Sequence, residues 1–154
     1  MIGTFIANEI IPTFKIQTEL DKIIEELIFD KDCHYFVFGK FSAFTDYCRN
    51  QVGKYRFRHN VRKIFFKSNL NWTTIEEDKF LDANYDRIYT PKTYTDYSKD
   101  YSIEREYELI KEADFIVFYN DNSDDFVKSL FEFAKSLDKQ IINVYEIIEQ
   151  QKKK

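Results

Sequence analysis

The sequence predicts an α/β fold in which a mostly parallel sheet of about five strands carries helices on both faces. Short β-rich runs alternate with helical patterns along the chain. Two of these runs, residues 35–38 (YFVF) and 115–119 (FIVFY), are continuously apolar, as strands buried on both faces are. A strand–helix–strand order implies right-handed crossovers, and these place helices over both faces of a parallel sheet.

The first half of the chain contains three predicted strands and two predicted helices. Residues 3–7 form the first strand, 35–38 the second and 61–66 the third. Residues 18–29 are helical because apolar side chains recur at three- and four-residue spacing, namely Leu20, Ile23, Ile24, Leu27 and Ile28. Residues 41–52 form the second helix, after Gly39 ends the strand before it.

The second half begins with an irregular segment, residues 67–100. It holds Trp72, Pro91 and five tyrosines, at positions 85, 89, 94, 97 and 101. These tyrosines are equally consistent with a lid over a ligand, with a protein interface and with side chains that anchor a long loop to the core. A helical turn is predicted between Thr74 and Leu81, and a short edge strand at 86–89. Helices then follow at 102–113 and 126–137, and strands at 115–119 and 140–145.

Composition limits the class of protein. The 154 residues are 44% hydrophobic and 32% charged, as in a globular chain, and the net charge of -4 argues against a nucleic-acid coat or a polybasic membrane binder. Residues 1–146 are predicted to form one domain, and 147–154 a polar tail with a short, frayed helix. No leader-like start or long apolar run is present, so a cytoplasmic location is expected. Cys33 and Cys48 are interpreted as buried thiols, and no metal or cofactor is expected.

Four segments carry a resemblance that spans nearly the whole chain: residues 4–12 (TFIANEIIP), 36–44 (FVFGKFSAF), 105–117 (REYELIKEADFIV) and 133–144 (FAKSLDKQIINV). They resemble the SLOG superfamily of Rossmann-like proteins, and are most similar to its small bacterial and phage members. Four positions agree with the family pattern: Pro12, Gly39, Phe44 and Arg105. Four other positions differ from the pattern. Ala7-Asn8-Glu9 stands where the family has Gly-His-Arg, and Ser42 where it has a second glycine. Glu106 replaces an asparagine, and Asp125-Phe126 replaces a Gly-Gly pair.

The resemblance implies a single Rossmann-like domain that binds a nucleotide or nucleotide-derived ligand beyond the carboxyl ends of its strands. The expected ligand-binding residues are Asn8, Gly39, Lys40, Ser42, Arg105 and Asn120. The carboxylates near this crevice argue against the usual nucleotide-phosphate site. The plainer interpretation is that Ser42 is a helix cap and Lys40 points to solvent.

A second interpretation is an N-glycosidase acting on nucleosides or nucleotides. The LOG enzymes of the superfamily use a PGGxGTxxE motif, which is absent here. Asp125 and Glu132 are the candidate catalytic carboxylates, since paired carboxylates serve glycosidic cleavage. The plainer interpretation is a helix cap for Asp125 and an exposed helix face for Glu132. The sequence leaves open whether the protein is an enzyme.

A third interpretation is a non-catalytic scaffold that acts through protein contacts and forms a homodimer. Residues 47–75 contain no Asp or Glu but seven basic residues, with aromatic residues between them. The rest of the chain has 16 basic against 27 acidic residues, a net charge of -11. Such a segment suits an acidic partner, and the overall negative charge makes nucleic acid the less favoured one.

Overall fold

The computed structural model describes residues 1–67, 74–89 and 101–153, and for residues 101–104 the backbone alone. The strands within these ranges are β1 (Ile2–Ala7), β2 (Tyr35–Phe38), β3 (Arg62–Phe66), β4 (Arg87–Tyr89), β5 (Phe115–Tyr119) and β6 (Gln140–Asn143). The helices are α1 (Phe14–Phe29), α2 (Ala43–Gly53), α3 (Ile75–Asn84), α4 (Tyr101–Glu112), α5 (Asp125–Ser136) and α6 (Val144–Lys152). Trp72, Pro91, Tyr94 and Tyr97 lie outside the described residues, as does the side chain of Tyr101.

The strands form one parallel sheet in the order β4-β3-β2-β1-β5-β6, which confirms the predicted α/β class. The described residues contain six strands, whereas the sequence predicted about five. The additional strand is β4, the short edge strand predicted at 86–89. It pairs with β3, with Ile64 opposite Arg87 in the register. The strand order reverses between β1 and β5, so the crevice expected for such a sheet lies at the carboxyl ends of these two strands.

Helices cover both faces of the sheet. The alternating side chains of β1 show the division, because Phe5 and Ala7 join the core cluster that contains α1, α2 and α6, while Ile6 joins the cluster of α4 and α5. On the first face α1 contacts both α2 and α6, and on the second α4 contacts α5 and β1. The core is therefore two apolar layers separated by the sheet.

Several element boundaries differ from the prediction by one to four residues, and at two of them a side-chain cap accounts for the difference. Helix α1 begins at Phe14 instead of residue 18, because the Thr13 side chain accepts a hydrogen bond from the Ile16 N–H and caps the first turn. The last strand ends at Asn143, whose side chain caps α6. Most of the predicted tail 147–154 is thus helical, and Ile148 is buried against α1.

Candidate functional site

A cleft of about 420 Å³ opens at the carboxyl ends of the strands, next to β1. Its walls come from the loops after β1 and β2, from α4 and from the first two turns of α5. Three of the predicted ligand-binding residues, Asn8, Lys40 and Arg105, line it together. Their convergence follows from the parallel topology, since loops that follow neighbouring parallel strands meet at one edge of the sheet.

Lys40 is held in a defined position at the floor of this cleft. Its Nζ donates a hydrogen bond to the carbonyl oxygen of Ala7, the last residue of β1, over 2.9 Å. This contact ties the loop after β2 to the end of β1. An ammonium group fixed in this way presents a positive charge to the cleft without first having to be ordered.

Glu106 is the cleft residue that the sequence did not single out. It lines the cleft and is only 7% exposed. Burial raises the pKa of its carboxyl, and the nearby charges of Lys40 and Arg105 oppose that rise. Glu106 follows Arg105 in a helix rich in charged residues, so the sequence does not indicate that it is buried. Its burial depends on how α4 packs against β1.

Asn8 adds a polar group without a partner. It lines the cleft just after β1, and its Oδ1 atom is buried and accepts no hydrogen bond within residues 1–67, 74–89 and 101–153. An unpaired buried acceptor costs free energy in the empty protein. A ligand with a hydrogen-bond donor would satisfy it.

Gly39 has a packing role that differs from the predicted one. A Cβ at this position would lie 2.9 Å from Leu109 Cδ1 and 3.1 Å from Arg105 Cδ. Because Gly39 has no side chain, Leu109 and Arg105 of α4 can pack directly against the backbone at the end of β2. Gly39 positions Arg105 and is not among the cleft-lining residues.

Ser42 and Asn120 also lie outside the cleft lining. Ser42 caps α2 by accepting a hydrogen bond from the Thr45 N–H over 3.1 Å. Asn120 is buried, and its backbone N–H and C=O both bond the side-chain amide of Asn143 over 3.0 Å. These two residues stabilise the ends of α2, β5 and β6.

The N-terminus of α5 is closed by its own chain. Asp124 lines the cleft, and its carboxylate accepts the Val127 N–H over 2.9 Å as the N-cap. A helix N-terminus is an anion site when its amides are free. Here the cap and the following Asp125 place two negative charges where a phosphate would otherwise bind.

The predicted catalytic carboxylates do not line the cleft. Asp125 is exposed in the first turn of α5. Glu132 lies on the exposed face of the same helix, 3.6 Å from Lys135 Nζ. The carboxylates that do line the cleft are Glu9, Glu77, Glu106 and Asp124.

The basic segment divides into a buried and an exposed part. Arg49 is buried, bonds Asp46 over 2.6 Å and lies over the Phe80 ring at 4.8 Å. Phe65 and Phe66 belong to the core. Phe57 and Arg58, in the loop before β3, are exposed.

No protein-family model and no curated protein matches this chain. Across the described ranges, no group of three or more His, Cys, Asp or Glu side chains is placed to hold a metal ion. None of the helices in the described part of the chain is long and apolar enough to cross a membrane. The function must therefore be argued from the geometry of the cleft.

Proposed function

We propose that the domain binds a small nucleotide-derived ligand in the cleft beside β1, as the SLOG-like pattern of the sequence implies. One observation carries the proposal. Lys40 and Arg105 line the cleft with a buried carboxylate, Glu106, and with the unpaired Asn8 acceptor, at the point where the strand order reverses. Ligands of open parallel sheets bind at this point.

The charges of the cleft favour a ligand with one anionic group and several hydrogen-bond donors. Lys40 and Arg105 supply two positive charges, which suit one phosphate or carboxylate. Four carboxylates line the same cleft, and the N-terminus of α5 is capped by one of them. The lining carries more carboxylates than basic groups, so repulsion grows with the charge of the ligand, and a triphosphate is the least favoured nucleotide.

The apolar part of the lining suits a flat ring. Ile6, Val127 and Leu130 form one wall, and the rings of Phe41 and Phe126 border the opening. Both phenylalanines are partly exposed, at 40% and 37%. An aromatic base in the cleft would bury apolar surface against these side chains, and the polar groups of Asn8 and Glu106 line the same cleft.

A thermal-shift screen tests the proposal with nucleosides, nucleoside monophosphates, cyclic nucleotides, NAD and ADP-ribose as probes. A ligand at 100 times its dissociation constant adds about 2.7 kcal/mol to the free energy of unfolding. In a domain of this size that raises Tm by roughly 5–10 °C. No shift with any of these probes would contradict the proposal.

Two lysine variants provide a matched comparison. Lys40→Gln removes the fixed charge from the cleft, and we expect it to weaken binding of an anionic hit by roughly tenfold or more. Lys128→Gln removes the same charge from an exposed position on α5 and should leave the affinity unchanged. Equal affinities in both variants would place the ligand elsewhere.

Cleavage of an N-glycosidic bond is the second candidate, and the burial of Glu106 is the observation that favours it. A carboxyl whose pKa is raised by burial can hold a proton and donate it to a leaving base. The C–N bond would then break as the base leaves with that proton, water would add its hydroxyl to the sugar carbon, and the remaining proton of the water would return to the carboxylate. Chromatography of free base after incubation with each hit tests this, since Glu106→Gln should abolish release, whereas Glu132→Gln should not.

A further inference from the structure

A basic turn, defined as residues 54–62, lies at the end of the sheet opposite the cleft. It connects α2 to β3 and so belongs to the edge at which the parallel strands begin. Its charged residues are all basic: Lys54, Arg56, Arg58 and Arg62. Phe57, in the middle, is 91% exposed, more than any other large apolar side chain of the described residues.

The turn is held by its own contacts. Arg56 bonds Asp86 over 2.8 Å, and its guanidinium lies 5.4 Å from the centre of the Phe57 ring. The His59 N–H donates to the Tyr55 carbonyl oxygen over 3.0 Å, which closes a helical turn. Arg56 is paired with Asp86, so the net positive charge of the turn comes from Lys54, Arg58 and Arg62. Phe57 is exposed between Arg56 and Arg58.

The rings of Tyr55 and His59 extend this surface. Both pack edge-on against Phe29 at the end of α1, with ring centres 5.6 and 4.6 Å from that of Phe29. Phe29 itself is half exposed. An exposed aromatic cluster bordered by arginine has the composition that is enriched in protein interfaces.

The opposite end of the molecule has the complementary character. The cleft mouth, defined by Glu9, Glu77, Asp124, Phe41 and Phe126, combines three carboxylates with two partly exposed rings. Glu76 and Asp125, both exposed, stand beside it in the first turns of α3 and α5. The chain thus carries an acidic aromatic surface at one end of its strands and a basic aromatic surface at the other.

We propose that the basic turn of one copy of this chain docks on the cleft mouth of a second copy. Opposite charges at the two ends attract, and Phe57 gains apolar contacts with the rings at the mouth. A twofold contact through either end would place like charges together. The association is therefore head-to-tail, a heterologous contact that leaves one free end on each side.

The net charge of -4 favours this occupant over a nucleic acid. A polyanion would be attracted to the turn but repelled by the rest of the chain, whose net charge outside residues 47–75 is -11. A second copy instead presents its own carboxylates at the cleft mouth to the basic turn. The contact needs no ligand in the cleft, but it uses Phe41 and Phe126, which line that cleft, so a ligand bound there should compete with a second copy.

Sedimentation analysis at increasing protein concentration tests the proposal. At about 0.02 M NaCl we expect the weight-average mass to rise above the monomer mass of 18.7 kDa as the concentration increases. At about 0.5 M NaCl, where exposed charges are screened, it should return to the monomer mass. A wild-type protein that stays monomeric at low salt overturns the proposal.

Two variants test the head-to-tail geometry. Phe57→Ser with Arg58→Glu disables the basic turn, and Glu9→Lys with Glu76→Lys disables the acidic end. All four side chains are exposed, so folding should persist, which circular dichroism checks. Each double variant alone should be monomeric at low salt, while an equimolar mixture should form a species of twice the monomer mass and nothing larger.

A lysine variant controls for net charge. Lys128→Glu changes the charge by the same amount as Arg58→Glu but lies in the first turn of α5, beside the acidic cleft mouth, so we expect it to associate at least as strongly as the wild type. Loss of association in this variant, or a mixture of the two double variants that stays monomeric, overturns the geometry. If the wild type is monomeric but binds an oligothymidylate that the Phe57→Ser/Arg58→Glu variant does not, the turn binds nucleic acid and the proposal is wrong.

Discussion

Gly39, directly after β2, is the position at which one added methyl group tests how α4 is seated. Its Cβ would lie 2.9 Å from Leu109 Cδ1 and 3.1 Å from Arg105 Cδ. Carbon atoms in favourable contact are about 3.5–4.0 Å apart, so each neighbour must move by about 0.5 Å. Leu109 is buried and has no free space to move into. Overpacking of this kind costs about 1–3 kcal/mol, and we expect Gly39→Ala to lower the free energy of unfolding by about 2 kcal/mol.

Urea and thermal unfolding measure this change, and the expected loss corresponds to a Tm lower by roughly 4–8 °C. Gly53→Ala is the matched control. At residue 53, the last of α2, the new Cβ would meet the flexible end of a lysine, Lys63 Nζ, at 3.2 Å. Alanine is also the better helix former, so Gly53→Ala should be neutral or stabilising by up to about 1 kcal/mol.

A double-mutant cycle identifies the clash. Leu109→Ala removes the atom that the new methyl group would touch first, so the Gly39→Ala penalty in that background should fall by about 1 kcal/mol or more. The displaced Arg105 should also weaken ligand binding in Gly39→Ala. A Gly39→Ala protein as stable as the wild type would refute the packing role assigned to this glycine.

Three further changes have defined outcomes. Burial raises the pKa of Glu106, so the protein loses stability as the pH rises and this carboxyl ionises. Glu106→Gln should therefore have a higher Tm than the wild type at pH 7, and the difference in Tm should disappear near pH 4. Thr74→Ala removes the capping box with Glu77 and should lower the free energy of unfolding by about 1 kcal/mol in urea titrations. Asn143→Leu leaves the buried N–H and C=O of Asn120 unpaired, and calorimetry should show a loss of about 3 kcal/mol.

The scaffold was predictable because its pattern is local. Strand β5 reads as a buried strand from five consecutive apolar residues, and α5 reads as a helix from the spacing of Val127, Leu130 and Ala134. Edge strand β4 has three residues with no buried side chain, so periodicity alone carries little information about it. Helix α1 was predicted to start late because Phe14 and Lys15 are exposed and do not extend the apolar stripe.

The site was only partly predictable because its residues are sorted by distant contacts. Asn8 and Lys40 were predicted because they follow strand ends near the reversal in strand order, and Arg105 because of the family resemblance; all three line the cleft. Asn120 was assigned to the ligand, yet its partner is Asn143, 23 residues away. Glu106 was missed because its burial depends on the approach of α4 to β1, which in turn depends on the missing side chain at Gly39.

The capped helix N-termini decide what chemistry remains for the cleft. Ser, Thr and Asp before a helix are read equally well as anion-site residues and as caps, because both uses require the same backbone amides. Here Thr13, Ser42 and Asp124 each accept an amide of their own helix, so those amides are already satisfied. Among the described residues that line the cleft, Lys40 and Arg105 are the basic ones that could bind an anionic group. Glu106 lines the cleft with both and interacts with their charges, so an anion bound there would lie near its carboxyl. We therefore expect the charge of Glu106 to influence which anionic ligand binds.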